Sequence, residues 1–179
     1  VVDSGGTKAD WRLIYADGTV VPVETRGYSP LLEQQVLLHD IIHHELPPFT
    51  EPVHQVFYYG TGIHNEAISQ KLNLGLQSAF NCTEVFTSSD LLGACRATCG
   101  IHPGIVAILG TGAATCMFDG AYIKNKIPSL GYIVGDEGGG ASIGKSILRH
   151  WFYNEMPVDL QEKFSERFKL TRDHFLEYT

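Results

Sequence analysis

The stretch Val1-Val2-Asp3-Ser4-Gly5-Gly6-Thr7-Lys8 joins an apolar pair to a glycine-rich polar turn. The pair predicts a short strand, and the two adjacent glycines let backbone N–H groups approach an anion closely. Thr7 and Lys8 add further donors to the turn. Asp3 would supply a hard oxygen ligand for Mg²⁺, which keeps most of its waters and needs only one or two carboxylates. An ordinary hairpin turn would also account for this stretch.

A second glycine turn, Gly110-Thr111-Gly112, follows the apolar run Ile105–Leu109. Both glycine turns are followed by another strand-like run that ends in Asp-Gly, at Asp17-Gly18 and at Asp119-Gly120. The recurrence predicts an internal repeat of two related α/β halves. Two such turns in a duplicated fold can hold a polyphosphate from both sides, so the pair is more specific than either turn alone.

Hydrophobic periodicity predicts the elements around these turns. In the first half we expect strands at 1–2, 11–15, 20–25, 53–59 and 85–87, with helices at 31–46, at 65–80 and from residue 90 onward. In the second half we expect strands at 105–109 and 115–118, a third strand that includes 133–134, and a helix at about 141–154. The predicted order is βββαβαβα followed by a shorter copy. The predicted domains are therefore 1–103 and an incomplete 104–179.

Composition is typical of a globular protein with a packed core. The 179 residues are 44% hydrophobic and 18% charged, which disfavours a disordered or coiled-coil protein. The net charge of −7 disfavours nucleic acid and anionic membrane surfaces as partners. Without a long apolar run or a signal-like start, the chain is expected to be cytoplasmic. Four cysteines in apolar surroundings are expected to be buried, reduced thiols: Cys82, Cys95, Cys99 and Cys116.

Four motifs occur in the order Asp3–Lys8, Thr87–Asp90, Ile108–Gly112 and Gly131–Gly138. Together they resemble the N-acetylglucosamine kinase branch of the actin-like ATPase superfamily, close to the BadF/BadG/BcrA/BcrD-type ATPases. The resemblance extends to about residue 155 and implies an α/β actin-like ATPase (ribonuclease H-like) fold. It also implies a sugar kinase that uses ATP and Mg²⁺ to phosphorylate N-acetylglucosamine or a related amino sugar, at its 6-hydroxyl.

The resemblance assigns roles to individual residues. Asp90 is implied to be the general base that accepts the proton of the sugar hydroxyl, and Asp3 is implied to lie near magnesium. Nucleotide phosphates are expected across an interdomain cleft, at Gly5, Gly6, Thr7 and Lys8 on one side and at Gly110, Thr111 and Gly112 on the other. Sugar contacts are expected at Asp90, Ser29, Ala113, Leu130, Gly131 and Asp136. On spacing alone, Asp90 is more typical of a helix N-cap than of a general base, and Ser89 is a second candidate for that cap.

The predicted acceptor pocket departs from the family pattern in three places. Ala113-Ala114 stand where these kinases commonly have Ser-Asn, Ser29 lies where an Asn is common, and Leu130 replaces an aromatic residue. The motifs therefore support ATP use better than they support N-acetylglucosamine as the substrate. The adenosine-binding segment would lie beyond Thr179. The sequence leaves open whether the chain forms a homodimer.

Other functions compete with the kinase. The segment Gly139–Ser146 matches the P-loop pattern, although no strand runs directly into its first glycine. The segment His39–His43 has two histidines at the spacing of a zinc-protease helix, but Asp replaces the expected Glu and no third ligand is marked. The cysteines lack the spacing of an iron–sulfur ATPase activator. A sensor or switch-type ATPase that binds sugar and nucleotide without sugar turnover also stays open, given Ala113-Ala114.

Overall fold

The computed structural model describes residues 1–30, 35–49, 51–128, 130–171 and 173. The first part of the chain contains β1 (Val2–Ser4), β2 (Lys8–Ile14), β3 (Val20–Arg26), α1 (Gln35–His44), β4 (Gln55–Gly60), α2 (Glu66–Phe80), β5 (Glu84–Ser89) and α3 (Asp90–Cys99). The second part contains β6 (Gly104–Leu109), β7 (Ala113–Phe118), β8 (Ile123–Lys126), α4 (Gly131–Val134), α5 (Gly140–Phe152) and α6 (Val158–Phe168). The mixed α/β class and the predicted βββαβαβα order of the first half are confirmed.

The described chain divides into two compact units. One consists of Val1–Val106 with Cys116–Asn125, and the other of Ala107–Thr115 with the described residues from Lys126 onward. The two predicted domains, 1–103 and 104–179, stay a prediction.

A five-stranded sheet organises the first unit, with strand order β3-β2-β1-β4-β5. Strand β1 runs antiparallel to β2 and parallel to β4, and β4 runs parallel to β5. The register pairs Ser4 with Gly60 and Gly60 with Ser89, so the last residues of three parallel strands lie in one row. The loop after β1 and the first turn of α3 therefore leave the same edge of the sheet. Ligands of open α/β sheets bind at this carboxyl edge.

The core of the first unit fixes that register. Residues alternate along β1 and β2, so that Val2 and Trp11 are buried while Asp3 faces the other side. Trp11 packs edge-on against Tyr58, with ring centroids 6.3 Å apart. The indole N–H of Trp11 donates to Thr25 Oγ1 at 2.8 Å, which satisfies its one polar group inside the core. Helices α1 and α2 supply further buried side chains of this core: Leu38, Ile41, Ile42, Leu72 and Leu76.

The second sheet repeats the opening of the first, with strand order β6-β7-β8. The two predicted Asp-Gly turns are present, and Gly18 and Gly120 have φ of +86° and +101°. Asp17 accepts a hydrogen bond from the Thr19 N–H, and Asp119 accepts from the N–H groups of both Ala121 and Tyr122. These backbone donors hold the pKa of each aspartate below its usual range. The predicted repeat of strand, glycine turn, strand and Asp-Gly turn therefore appears in both halves.

One element of the second half is predicted wrongly. Ile133 and Val134 belong to the single helical turn α4, which the bond from Gly135 N–H to the Gly131 carbonyl closes at 2.8 Å. The third strand is Ile123–Lys126 instead, whose mostly polar sequence gives no hydrophobic period. Two apolar residues are too few to separate a strand from a helix.

The helix predictions hold within the described residues. Helix α1 is described from Gln35, and the predicted residues 31–34 lie outside the described part. Leu160, Phe164 and Phe168 recur four residues apart in the mixed-charge segment 157–179, which predicts a further helix there, and α6 contains all three. Residues 172 and 174–179 of that segment also lie outside the described part. None of the helices described is long and apolar enough to cross a membrane.

Candidate functional site

The first glycine turn, loop 1 (Gly5–Lys8), lies at the carboxyl end of β1. The Gly5 N–H donates to the Lys8 carbonyl at 2.9 Å, which closes the turn, and all four residues are exposed. Within the described part of the chain, the N–H groups of Gly6 and Thr7 have no acceptor. Two adjacent exposed amides of this kind can bind an anion.

The segment Gly27–Ser29 packs against loop 1. The Gly27 N–H donates to the Thr7 carbonyl at 3.0 Å. A Cβ on Gly27 would lie 2.2 Å from the Gly5 carbonyl oxygen, so only glycine fits without a backbone shift. Ser4 Oγ, fully buried, accepts a hydrogen bond from the Tyr28 N–H at 3.2 Å. The predicted sugar-contact residue Ser29 is itself only 6% exposed, and its backbone is held beside loop 1 by these bonds.

The charges around loop 1 are mostly negative. Asp3 lies directly opposite Asp10 in the β1–β2 register, and Asp10 lies opposite Glu24 in the β2–β3 register. The Lys8 ammonium contacts Asp10 and Glu24 at 3.2 Å each. Partial desolvation raises the pKa of Asp3, the charges of Asp90 and Asp10 raise it further, and Lys8 lowers it. The Asp3 carboxylate is therefore short of positive charge.

The predicted general base, Asp90, is the first residue of α3. Ser89 is the N-cap of this helix, and its hydroxyl accepts from the Leu92 N–H at 3.3 Å. The N-cap interpretation of Asp90 is therefore wrong, since its neighbour fills that role. Asp90 Oδ1 accepts from the Leu91 N–H at 2.8 Å, and among the described residues no donor contacts Oδ2. The carboxylate is half-buried, and its charge acts on Asp3.

The second glycine turn, loop 2 (Gly110–Gly112), belongs to the second unit. Its carbonyls accept from the first amides of α5, with Gly140 N–H bonded to Gly110 at 2.8 Å and Ala141 N–H bonded to Thr111 at 2.9 Å. Thr111 is exposed, and in the described ranges its own N–H and hydroxyl have no acceptor. Loop 2 is thus fixed through its carbonyls, while the N–H and hydroxyl of Thr111 stay available.

Asp136 lies beside loop 2 in the same unit. It adopts φ of +58°, and its carbonyl accepts from the Gly139 N–H at 2.9 Å. A Cβ on Gly112 would lie 2.6 Å from Asp136 Oδ2, so the carboxylate packs closely against the backbone of this glycine. Asp136 and loop 2 thus form one local group.

The other predicted sugar-contact residues of this unit lie near loop 2 in sequence or at α4. Ala113 is the first residue of β7 and is half-buried. Leu130, at the start of α4, is 63% exposed, and Gly131 follows with φ of +73°. Their contact with a sugar stays a prediction.

The structure disfavours the P-loop interpretation of Gly139–Ser146. Gly139 is the N-cap of α5, and it follows α4 and a turn rather than a strand. Gly144, Lys145 and Ser146 lie in the second turn of α5, whereas a P-loop needs its lysine and serine where the loop enters the helix. The first amides of α5, which would bind phosphate in a P-loop, are already bonded to loop 2.

The metal-based alternatives find little support. The rings of His39 and His43 stack on α1 with centroids 4.0 Å apart, and both side chains are exposed. Over the described ranges, no group of three or more His, Cys, Asp or Glu side chains could hold a metal ion. All four cysteines are free thiols, of which Cys82, Cys95 and Cys116 are buried as predicted while Cys99 is half-exposed.

Comparison with solved structures identifies similar proteins. The chain is 35% identical to a provisionally named N-acetylglucosamine kinase from Porphyromonas gingivalis, with a TM-score of 0.88 over 98% of this chain and 64% of that one. It is 24% identical to a protein of the same provisional name from Chromobacterium violaceum, with a TM-score of 0.64 over 84% of this chain and 55% of that one. The chain is therefore similar to proteins provisionally named N-acetylglucosamine kinases. The resemblance predicted from the four motifs is confirmed.

The chain covers only part of each of these similar proteins. It spans less than two thirds of the length of either of them. No family model and no curated protein sequence matches it.

The motifs assign no role in the predicted site to three residues that position it. Gly27 and Ser4 hold the 27–29 segment on loop 1, and a Cβ on Gly139 would lie 2.6 Å from the Gly112 carbonyl carbon. Each of these contacts joins segments far apart in sequence, so local pattern could not predict them. Gly27 lies in the stretch that the resemblance compares with a sugar-binding loop. Among these three residues, that position is the sequence feature that could have pointed to Gly27.

Proposed function

We propose that the chain carries the phosphate-binding and general-base residues of an ATP-dependent sugar kinase with an actin-like ATPase fold. The observation that supports this most strongly is the position of Asp3 and Asp90 at one edge of the sheet beside loop 1, close enough for the Asp90 charge to contribute to the raised pKa of Asp3. These two carboxylates come from separate motifs, and the sheet register brings them to one edge. Two like charges placed together beside exposed amide donors are typical of a site that binds cation and anion together.

Loop 1 and Lys8 suit the phosphates of a nucleotide. The Gly6 and Thr7 amides are exposed donors, and the Lys8 ammonium is exposed and held by two carboxylates. Exposed ion pairs are weak, so Lys8 can exchange one of its carboxylate contacts for a phosphate oxygen. We propose the same role for the Thr111 N–H and hydroxyl of loop 2, which α5 holds through the loop carbonyls.

The carboxylates beside loop 1 fit magnesium as the counter-ion. Asp3 and Asp10 stand opposite each other, and like charges directly opposite in a sheet are destabilising. Lys8 offsets part of this charge, but desolvation and the two neighbouring carboxylates still raise the pKa of Asp3. Asp3 would hold the ion, which when bound would neutralise charge on the transferring phosphate oxygens.

Asp90 is proposed to prepare the acceptor. Its Oδ1 is held by the Leu91 N–H, which orients Oδ2 for a hydrogen bond from a sugar hydroxyl. As the hydroxyl oxygen bonds to the γ-phosphorus, Asp90 takes its proton, and the bond from that phosphorus to the bridging oxygen of ADP breaks. The products are a sugar phosphate and ADP. The protein then contributes mainly alignment and charge stabilisation, as phosphoryl transfer requires.

We propose an amino sugar phosphorylated at its 6-hydroxyl as the acceptor. Ser29, Ala113, Leu130, Gly131 and Asp136 are the proposed contacts beyond Asp90. Only Ser29 and Asp136 among them carry polar side chains, so selectivity among sugars is expected to be modest.

The test is ADP release by the protein with Mg-ATP and a panel of N-acetylglucosamine, glucosamine and glucose. We expect turnover with at least one amino sugar, and a loss of about 10²- to 10⁴-fold in Asp90→Asn, because general-base catalysis contributes that much. The matched control is Glu66→Gln, which changes the acidic first residue of α2 behind its own N-cap, Asn65. This variant loses a similar interaction with the helix dipole and should keep its activity.

Each other outcome would contradict the proposal. ATP hydrolysis that ignores every sugar and survives Asp90→Asn would favour a switch-type ATPase. Sugar binding without turnover, measured by calorimetry on the same protein, would favour a sensor. Equal losses in Asp90→Asn and Glu66→Gln would show that Asp90 matters for helix stability alone.

A further inference from the structure

Two buried thiols contact each other where α3 meets β7. Cys95 Sγ and Cys116 Sγ are 3.4 Å apart, and the two residues are 0% and 3% exposed. Both lie in the first unit, one on the buried side of a helix and the other on a strand. Free cysteine commonly packs as a small apolar residue, but sulfur-to-sulfur contact between two elements is more than packing requires.

The fold holds this contact in place from both sides. Leu91, one turn before Cys95, is buried, which fixes that face of α3 toward the core. Cys116 is followed two residues later by buried Phe118, so β7 presents both side chains to the same side. The sulfurs are therefore kept together by side chains that have no part in the proposed reaction.

We propose that Cys95 and Cys116 are a dithiol modification site that a hydroperoxide converts into a disulfide, joining α3 covalently to β7. The sulfurs need to approach by about 1.4 Å to reach a normal disulfide bond. The inference does not depend on the proposed kinase activity. It concerns a pair of residues to which neither motif nor comparison gives a role.

The chemistry balances with one hydroperoxide for each disulfide. The Cys116 sulfur attacks the terminal peroxide oxygen, and an S–O bond forms as the O–O bond breaks. The departing oxygen takes the Cys116 thiol proton and leaves as an alcohol or water, so that Cys116 becomes a sulfenic acid. The Cys95 sulfur then attacks the sulfenic sulfur, the S–S bond forms, and the hydroxyl departs with the Cys95 proton as water. Two thiols are oxidised and one peroxide is reduced.

The surroundings make this reaction slow and selective. Burial, together with the hydrogen bond to Cys116, raises the pKa of Cys95 to about 12. The thiol is therefore protonated at neutral pH, which keeps the pair reduced until an oxidant reaches it. Cys99 is half-exposed on the same helix and would be reached first by bulky reagents. A small peroxide is the oxidant that suits the buried pair.

The experiment exposes the folded protein to hydrogen peroxide and then blocks the remaining thiols after unfolding. Peptide mass analysis should find a Cys95–Cys116 link, with two of the four thiols lost and both recovered by dithiothreitol. Cys95→Ser and Cys116→Ser should each abolish the link. Cys82→Ser removes a buried thiol bonded to the His54 carbonyl instead, and should leave the link unchanged.

A second measurement covers the case in which a serine variant fails to fold. The unmodified sequence is oxidised both folded and in urea, and the share of disulfides that join Cys95 to Cys116 is compared. Contact in the folded state should make this link the main disulfide there, although it forms slowly, and should raise the melting temperature of the product. In urea the four thiols should pair without that preference. The proposal fails if the link forms only in urea, or if peroxide modifies Cys99 while Cys95 and Cys116 stay reduced.

Discussion

The structure makes Gly27 a sensitive position in the proposed phosphate site, because its hydrogen atom faces the backbone of loop 1. A Cβ there would lie 2.2 Å from the Gly5 carbonyl oxygen, 2.7 Å from the Lys8 nitrogen and 2.8 Å from the Gly6 carbonyl carbon. All three are backbone atoms, so no rotamer change can relieve the clash. The two segments must separate by about 1 Å to restore ordinary contact.

The cost of Gly27→Ala follows from that separation. Forcing backbone shifts in a packed region costs about 1 to 3 kcal/mol, and the hydrogen bond from Gly27 to Thr7 would add about 1 kcal/mol if it broke. We expect a loss of about 2 to 4 kcal/mol in the free energy of unfolding. Urea denaturation measures it through the fluorescence of buried Trp11, in a Trp151→Phe background that removes the other tryptophan.

Gly6→Ala is the matched control for this measurement. Gly6 lies one residue along the same loop, but a Cβ there would meet no atom within 4 Å. Its free energy of unfolding should change by no more than about 0.5 kcal/mol. If Gly27→Ala cost no more than Gly6→Ala, the packing of the 27–29 segment against loop 1 would be wrong, and with it the positioning of Ser29.

Three further predictions concern single side chains. Ser89→Ala should lower the free energy of unfolding, measured by urea titration, by about 1 kcal/mol, because the Leu92 N–H loses its hydrogen bond to the Ser89 hydroxyl. An unchanged urea midpoint would contradict the role of Ser89 as the N-cap. The pKa of Asp3 is higher in the folded protein than in the unfolded chain, so this group stabilises the fold at a pH below its unfolded pKa. That stabilisation is lost as the pH rises through the pKa of the folded state. At neutral pH, Asp3→Asn should therefore unfold at a higher urea concentration than the unsubstituted protein. The difference between the two midpoints should disappear in acid, and a lower midpoint for Asp3→Asn at neutral pH would contradict the electrostatic argument. Gly144→Ala should stabilise the protein by about 0.5 to 1 kcal/mol in thermal melts, because alanine favours the interior of α5 and its Cβ meets no atom within 4 Å. Its nucleotide affinity should be unchanged, and a loss of affinity would support the P-loop interpretation.

Local signals account for the parts of the fold that the sequence predicts well. Strands with several β-branched or aromatic residues, and the Asp-Gly turns at Asp17 and Asp119, are specified by a few neighbouring residues. The errors fall where that signal is short or polar. Ile133 and Val134 are too few to show a period, and Ile123–Lys126 has no apolar alternation, so its strand depends on pairing with β7.

The candidate site also has parts that the sequence predicts and parts that it does not. Asp3, Asp90 and the two glycine loops can be predicted because each stands in a contiguous motif that resembles a family. The contacts that position them are long-range: Ser4 with Tyr28, Gly27 with loop 1, and the amides of α5 with loop 2. No single stretch of sequence contains both partners of such a contact. Only the folded chain brings the partners together.

The register of β1 explains how core packing determines the chemistry of loop 1. Val2 and Ser4 are buried on one face of the sheet, and because side chains alternate, Asp3 must project from the other face. A slip of one residue would bury the carboxylate and expose the two core residues, so the core excludes it. The same register then places Asp3 opposite Asp10, which no strand would favour for stability alone. A bound cation would relieve a repulsion that the core imposes, and this is the physical basis of the magnesium site proposed at Asp3.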